Sequence, residues 1–97
     1  MNQIVVADQN GQIQFLGHMA RLNITWKGQN SDLPDPIDKD LDDTAVKNLA
    51  TEAVTGGVPG IAADAGANFG DFVVDRFPAT EDLPARVMIR PKTPFGA

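Results

Sequence analysis

One amphipathic helix constrains the fold of this chain more than any other feature of its sequence. Apolar residues recur at intervals of three and four along one segment, which places them on a single side of an α-helix: Val46, Leu49, Ala50, Ala53 and Val54. Asp42 precedes this stripe as the predicted N-cap, and Gly56-Gly57 before Pro59 predicts its end. A helix near residues 43–55 therefore has one face to bury.

Segments on either side of the helix show strand patterns. Residues 21–27 alternate apolar and polar side chains, so Leu22, Ile24 and Trp26 share one face of a half-buried strand. Residues 85–90 predict a final strand, with Val87 and Ile89 on one face. Trp26 is interpreted as a core residue, with an exposed aromatic anchor of a binding face as the alternative.

The remaining segments complete an α+β pattern. Residues 71–77 predict a strand with one strongly buried face, in which the apolar residues are Phe72, Val73, Val74 and Phe77. Residues 28–31 predict a turn, and residues 58–70 a loop of small residues. Because prolines cannot donate ladder hydrogen bonds, Pro34 and Pro36 confine any strand there to an edge. Together, these elements predict a helix packed across one face of a mixed sheet.

Length, charge and cysteine content narrow the function classes. The 97 residues form one domain at most, and no stretch approaches a membrane span. The absence of cysteine excludes disulfides and thiol catalysis. A net charge of −5 with scattered basic residues argues against nucleic-acid binding and is compatible with basic protein partners. We expect protein partners and no membrane binding. We expect no signal peptide and a cytoplasmic location.

The chain divides into three predicted parts. In residues 1–18, Asn10-Gly11 favours a type I′ hairpin turn with Val6 facing Phe15. Gly17-His18-Met19 is also what a cleaved tag leaves before a start methionine, so an appended segment and a genuine hairpin both stay open. Residues 19–90 form the predicted domain, and residues 91–97 a flexible tail.

The sequence predicts neither an enzyme nor a metal or cofactor site. The only histidine is His18, within the suspected appended segment. Asp38, Asp40 and Asp42 resemble the start of a calcium loop, but Asp43 and Leu49 stand where that loop needs glycine and glutamate. We interpret these aspartates as a solvated edge plus the N-cap. Asp71 and Asp75 could act as acids or bases, although ion pairs with Arg86 or Arg90 are the simpler expectation.

Residues 20–96 resemble ubiquitin and its bacterial relatives. The similarity lies in the order of the elements, and its best local piece is the segment Leu41-Asp42-Asp43-Thr44-Ala45-Val46-Lys47-Asn48-Leu49-Ala50, followed by Gly56-Gly57-Val58-Pro59. The resemblance implies a β-grasp fold. It also implies that Arg86–Arg90 is a central strand, parallel to the first strand of the domain.

The same resemblance implies a function for the tail. Ubiquitin-like modifiers end in Gly-Gly, because an activating enzyme adenylates the terminal carboxylate inside a narrow channel. Here Gly96 matches, Phe95 is a bulky departure, and Ala97 would be removed by a processing peptidase. Arg86, Arg90 and Lys92 would dock onto the activating, conjugating or processing enzyme. The chain is thus predicted to be a protein modifier or carrier. The alternative is a non-covalent interaction module. For the tail, an ordinary frayed end and a connection to a further domain also stay open.

Overall fold

Seven strands and one helix are formed by the residues that the computed structural model describes, which are 6–7, 13–14 and 17–92. In chain order, the elements are β1 (Val6–Ala7), β2 (Ile13–Gln14), β3 (Met19–Trp26), β4 (Gln29–Asp32), β5 (Ile37–Asp38), α1 (Asp43–Gly56), β6 (Val73–Phe77) and β7 (Ala85–Arg90).

The main sheet has five strands and is mixed. Its order is β4-β3-β7-β6, and β5 pairs with the start of β3. The central pair β3 and β7 is parallel, with Leu22 opposite Val87, whereas every other pair in this sheet is antiparallel. The predicted α+β class, with a mixed sheet and one helix, is confirmed.

Helix α1 occupies the predicted position. The side chain of Asp42 accepts a 2.8 Å hydrogen bond from the backbone N–H of Ala45, which satisfies one of the amide groups left over at a helix start. Val46, Ala50 and Val54 are fully buried against the sheet. The helix ends at Gly57, whose φ of 86° is readily adopted only by glycine.

The core lies between this helix and one face of the sheet. Alternate residues of the two central strands point into it: Ala20, Leu22, Ile24 and Trp26 from β3, and Ala85, Val87 and Ile89 from β7. Burying a large aliphatic or aromatic side chain contributes roughly 1.5–3 kcal/mol. The core interpretation of Trp26, which is 8% exposed, is confirmed.

The predicted turn at residues 28–31 was wrong. Gln29 already belongs to β4 and pairs with Trp26, so the hairpin turn is Lys27-Gly28. Both residues have positive φ, 48° and 80°, as a two-residue type I′ connection requires. The strand that follows is wholly polar, and it therefore carries no alternating pattern in the sequence.

The prediction of a strongly buried face on β6 was also wrong. None of its five residues is fully buried, and the Phe77 side chain is 38% exposed. The reason is position: β6 is the last strand of the sheet and pairs only with β7. Phe72, which precedes the strand, packs instead against the Trp26 ring at 5.6 Å between centroids.

The N-terminal strands pair in a register one residue from the predicted one. Val6 lies opposite Gln14 and Ala7 opposite Ile13, so Phe15 is not the partner of Val6. The predicted two-residue turn in a regular ladder would leave an even number of residues between paired positions. Five residues separate Ala7 from its partner Ile13.

Candidate functional site

The strongest candidate for a binding surface is the side of the sheet that faces away from α1, called here the helix-distal face. Its residues alternate with the core residues along each strand, and the register places them side by side. They are Arg21, Asn23 and Thr25 on β3, Asn30 and Asp32 on β4, Val73, Asp75 and Phe77 on β6, and Arg86, Met88 and Arg90 on β7.

The half of this face on β6 and β7 combines cations with apolar groups. The Arg86 guanidinium lies 4.9 Å from the centroid of the Phe77 ring, within range of a cation–π interaction. Arg90 Nε donates a 2.7 Å hydrogen bond to Asp75 Oδ2. Between these two contacts lies Met88, half-buried and directly opposite Asp75. An arginine beside partly exposed aromatic and thioether groups is typical of protein-binding surfaces.

The other half of the face, on β3 and β4, is a connected polar ladder. The Asn23 amide donates to Asp32 Oδ1 at 2.8 Å, and the side chains of Asn23 and Asn30 hydrogen-bond each other in both directions, at 3.0 and 2.8 Å. Asn30 also donates to Thr25 Oγ1 at 2.9 Å. Because these groups satisfy one another, this half presents a fixed polar surface next to the cationic half.

Charge is distributed unevenly over the molecule. The helix-distal face carries the arginines Arg21, Arg86 and Arg90 against the aspartates Asp32 and Asp75, although the whole chain has a net charge of −5. Most carboxylates therefore lie elsewhere. The helix-distal face is thus less acidic than the rest of the chain, and such an uneven charge mainly affects the rate and orientation of association with a charged partner.

The structure brings two of the predicted partner-binding residues together. Arg86 and Arg90 lie on the helix-distal face, and the predicted ion pair between Asp75 and Arg90 is confirmed. Lys92 is exposed just beyond β7. The predicted processing residues Phe95, Gly96 and Ala97 lie outside the described residues.

Among the members of this face that sequence reasoning missed, Arg21, Met88 and Phe77 carry its charged and apolar character. Arg21 and Met88 alternate with buried residues on their own strands, so the period-two pattern could have identified both. Phe77 was assigned to a buried face, but it lies opposite the exposed Arg86. Only the pairing of β6 with β7 reveals that placement.

A second polar cluster, outside this face, joins β3 to the loop of residues 58–70. Trp26 Nε1 donates to Asp64 Oδ2 at 2.9 Å, the Gly66 N–H donates to Oδ1 at 2.9 Å, and Lys27 Nζ lies 3.1 Å from Oδ2. These contacts, led by the Trp26 hydrogen bond, hold the pKa of Asp64 below its ordinary value. The cluster anchors the loop to the end of β3.

The described part of the chain offers no obvious centre for metal chemistry. Within it, no three histidine or carboxylate side chains come together in a way that could hold a metal ion. Nor does it contain a helix that is both long enough and apolar enough to cross a membrane.

Comparisons of the chain with protein-family models, with curated proteins and with solved structures gave no match.

Proposed function

We propose that this chain is a ubiquitin-like protein modifier or carrier with a β-grasp domain at residues 19–90. One observation supports this proposal above all: β7, the last strand, lies in the middle of the sheet and runs parallel to β3, the first strand of that domain. The single helix α1 lies in the connection between these strands and packs on one face. This is the topology that the resemblance to ubiquitin predicts.

The position of β7 determines where the tail leaves the domain. Ile89 lies opposite Ile24, so the chain passes Arg90 at the end of the sheet that also carries the β3–β4 hairpin. Pro91 has no N–H to donate, and Lys92 is exposed. The proposed function needs this arrangement, because the tail has to reach an enzyme while the body stays folded.

The proposed chemistry takes place at Gly96. A peptidase hydrolyses the peptide bond after Gly96 and exposes its carboxylate. An oxygen of that carboxylate attacks the α-phosphorus of ATP, and pyrophosphate leaves. A thiol or amine then attacks the acyl carbon, AMP leaves, and the attacking group loses its proton. The domain is the substrate in these steps and contributes no catalytic group. In this proposal the chain meets its peptidase and its activating enzyme in the cytoplasm.

Residues of β7 would orient the domain on its enzymes. Arg86 and Arg90 point from the helix-distal face and Lys92 follows them toward the tail, so a cationic row leads to the reacting end. An acidic surface on the activating or processing enzyme would match that row. Because Phe95 is bulky, the activating enzyme would need a wider channel for this tail than for one that ends in two glycines.

Intact-mass measurement tests the proposal. The protein is incubated with the enzymes encoded beside its gene and with ATP, and parallel samples contain α,β-methylene ATP, whose α–β bridge cannot be cleaved. We expect loss of the residues after Gly96, or an ATP-dependent adduct at the Gly96 carboxylate that α,β-methylene ATP does not support. An unchanged mass with a cognate activating enzyme present would contradict the proposal.

The helix-distal face supports a second candidate, a non-covalent interaction module. The observation that favours it is the exposed Phe77 beside Arg86, a combination suited to binding without tail chemistry. This candidate predicts a stoichiometric complex that survives Gly96→Ala and is lost on charge reversal at Arg86 or Arg90. Analytical size exclusion with the purified partner distinguishes the two candidates.

A further inference from the structure

Strand β6 presents an outer backbone edge that no other described segment covers. It lies at the end of the sheet, and among the described residues only β7 hydrogen-bonds to its backbone. Its sequence, Val-Val-Asp-Arg-Phe, is rich in residues that favour strands. The opposite edge, β4, is wholly polar. An unpaired edge of this kind is a template for an added strand.

A basic groove lies at the end of this edge. Its volume is about 240 Å³, and Lys39, Arg76 and Arg86 line it together with the apolar surfaces of Phe77, Pro78 and Val87. None of the described residues that line the groove is a carboxylate, although the chain as a whole is acidic. The groove therefore offers positive charge around an apolar floor.

The three cationic side chains differ in whether they already form an ion pair with a described carboxylate. Arg76 donates to Asp43 Oδ1 at 2.8 Å and to the Leu41 carbonyl at 2.5 Å. Arg86 contacts the Phe77 ring, and neither Arg86 nor Lys39 forms an ion pair with a described carboxylate. These two side chains can therefore take an acidic ligand without first breaking an ion pair within the described chain.

Three carboxylates near Lys39 in sequence already have partners, whereas the exposed neighbour Asp40 contributes its backbone N–H and not its carboxylate. Asp38 accepts from the Asp40 N–H at 2.8 Å, Asp42 caps α1, and Asp43 binds Arg76. Their negative charge is thus partly offset by backbone N–H groups and a guanidinium.

We propose that the β6 edge and this groove form a binding site for an extended acidic peptide of another protein. The peptide adds a strand beside β6, and its backbone takes up the unused hydrogen-bonding groups of residues 73–77. An Asp or Glu side chain at one end of the peptide reaches Arg86 and Lys39. A neighbouring apolar side chain packs on Phe77 and Pro78. The site shares Arg86 with the enzyme-docking row proposed above, but it does not involve the tail or the chemistry at Gly96.

Register argues against a second copy of this chain as the occupant. When two β6 strands pair antiparallel within one continuous sheet, residues opposite each other lie on the same face. The register that pairs all five residues places Asp75 opposite Asp75 of the second copy, and like charges directly opposite are destabilising. A heterologous acidic peptide avoids this repulsion and meets the cations of the groove.

Synthetic probes test both parts of the site. The first probe is a fluorescein-labelled peptide with four alternating valines and threonines before two glutamates, and the second replaces the glutamates with lysines. The third probe has the sequence of the first, with a methyl group on every second backbone nitrogen. It is made in two versions, one methylated at the odd-numbered residues and the other at the even-numbered residues. We expect the glutamate probe to raise anisotropy and to shift the amide resonances of residues 73–77. The lysine and methylated probes should bind at least about tenfold more weakly, because they lose the ion pairs or the strand pairing.

Charge reversals locate the acidic end of the probe. Lys39→Glu combined with Arg86→Glu should weaken the glutamate probe about tenfold or more. Lys47→Glu is the matched control, since Lys47 lies on α1 and does not line the groove, and it should change affinity by less than about twofold. Far-UV circular dichroism establishes that each variant is folded, and the methylated probe tests strand addition on the unaltered protein.

Several results would overturn the proposal. One is no binding of the glutamate probe, and another is equal binding of the glutamate and lysine probes. A third is tolerance of backbone methylation, and a fourth is a set of shifts that excludes residues 73–77. Self-association seen by sedimentation, with concentration-dependent amide shifts at residues 73–77, would assign the edge to a second copy instead. None of these results affects the mass measurement at Gly96, so the two proposals fail separately.

Discussion

The indole N–H of Trp26 donates a 2.9 Å hydrogen bond to Asp64, a residue 38 positions further along the chain. The same carboxylate accepts from the Gly66 N–H and lies 3.1 Å from Lys27 Nζ. In addition, the Asp64 N–H donates to the carbonyl of Val54 near the end of α1. One aspartate therefore links the end of β3, the end of the helix and the loop between α1 and β6.

The lowered pKa of Asp64 makes this link sensitive to pH. Because the folded state disfavours protonation of this carboxyl, its contribution to stability is complete above the ordinary pKa of aspartate. That contribution is lost as the pH falls through the lowered folded-state pKa. Asp64→Asn should therefore lower the urea midpoint at pH 7, and the gap between the wild type and the variant should narrow in acid.

Asp71→Asn is the matched control for this prediction. Asp71 is exposed in the turn before β6, so its amide variant should unfold close to the wild type across the same pH range. The measurement is urea unfolding by circular dichroism from pH 7 down to pH 3. A gap for Asp64→Asn that stays constant or widens in acid would contradict the assignment.

Phe69 is expected to be among the most costly side chains to truncate. It is 1% exposed, and its ring lies 4.9 Å from the Trp26 ring and 4.7 Å from the Phe72 ring between centroids. Phe69→Ala should lower the free energy of unfolding by about 3–5 kcal/mol, since both transfer energy and packing are lost. Leu83→Ala, at a residue that is 53% exposed, should change it by less than about 0.5 kcal/mol. A loss below about 1 kcal/mol for Phe69→Ala would exclude this residue from the cooperative core.

Local signals explain what the sequence predicted of the fold. The stripe from Val46 to Val54, with the cap at Asp42 and the stop at Gly57, fixes α1 without reference to the rest of the chain. Alternation fixes β3 and β7 in the same way. These elements lie at the centre of the domain, where burial is complete and the pattern is strong.

What the sequence missed depends on pairing and on tertiary contact. The polar strand β4 exists because the turn at Lys27-Gly28 folds it back on β3. Phe69 and Ile61 are buried because the loop that carries them lies against the core, although small residues surround them in the sequence. The candidate site shows the same division: Arg86 and Arg90 follow from one strand, whereas their proximity to Phe77 and Asp75 follows from register.

The N-cap of α1 can be tested with two neighbouring aspartates. Asp42→Ala removes the 2.8 Å bond to the Ala45 N–H and should lower the free energy of unfolding by about 1 kcal/mol. Asp40→Ala is the control, because in the described structure Asp40 contributes its backbone N–H to Asp38 and not its carboxylate. Chemical denaturation of both variants at pH 7 gives the comparison. Equal losses would indicate a general charge effect at this end of the helix and would contradict the cap.

The two glycines at the end of α1 should respond to alanine in opposite directions. Gly57 has φ 86° and ψ 140°, and a Cβ there would lie 3.2 Å from the backbone nitrogen of Ala63. Gly57→Ala should therefore lower the free energy of unfolding by about 1–3 kcal/mol, because both the backbone conformation and the available space disfavour a side chain. Gly56 is the last helical residue and has open space at its Cβ position, so Gly56→Ala should raise the free energy of unfolding by about 0.4–1 kcal/mol. Thermal and urea unfolding of the two variants measure both effects, and a change of the same sign in both would contradict this description of the helix end.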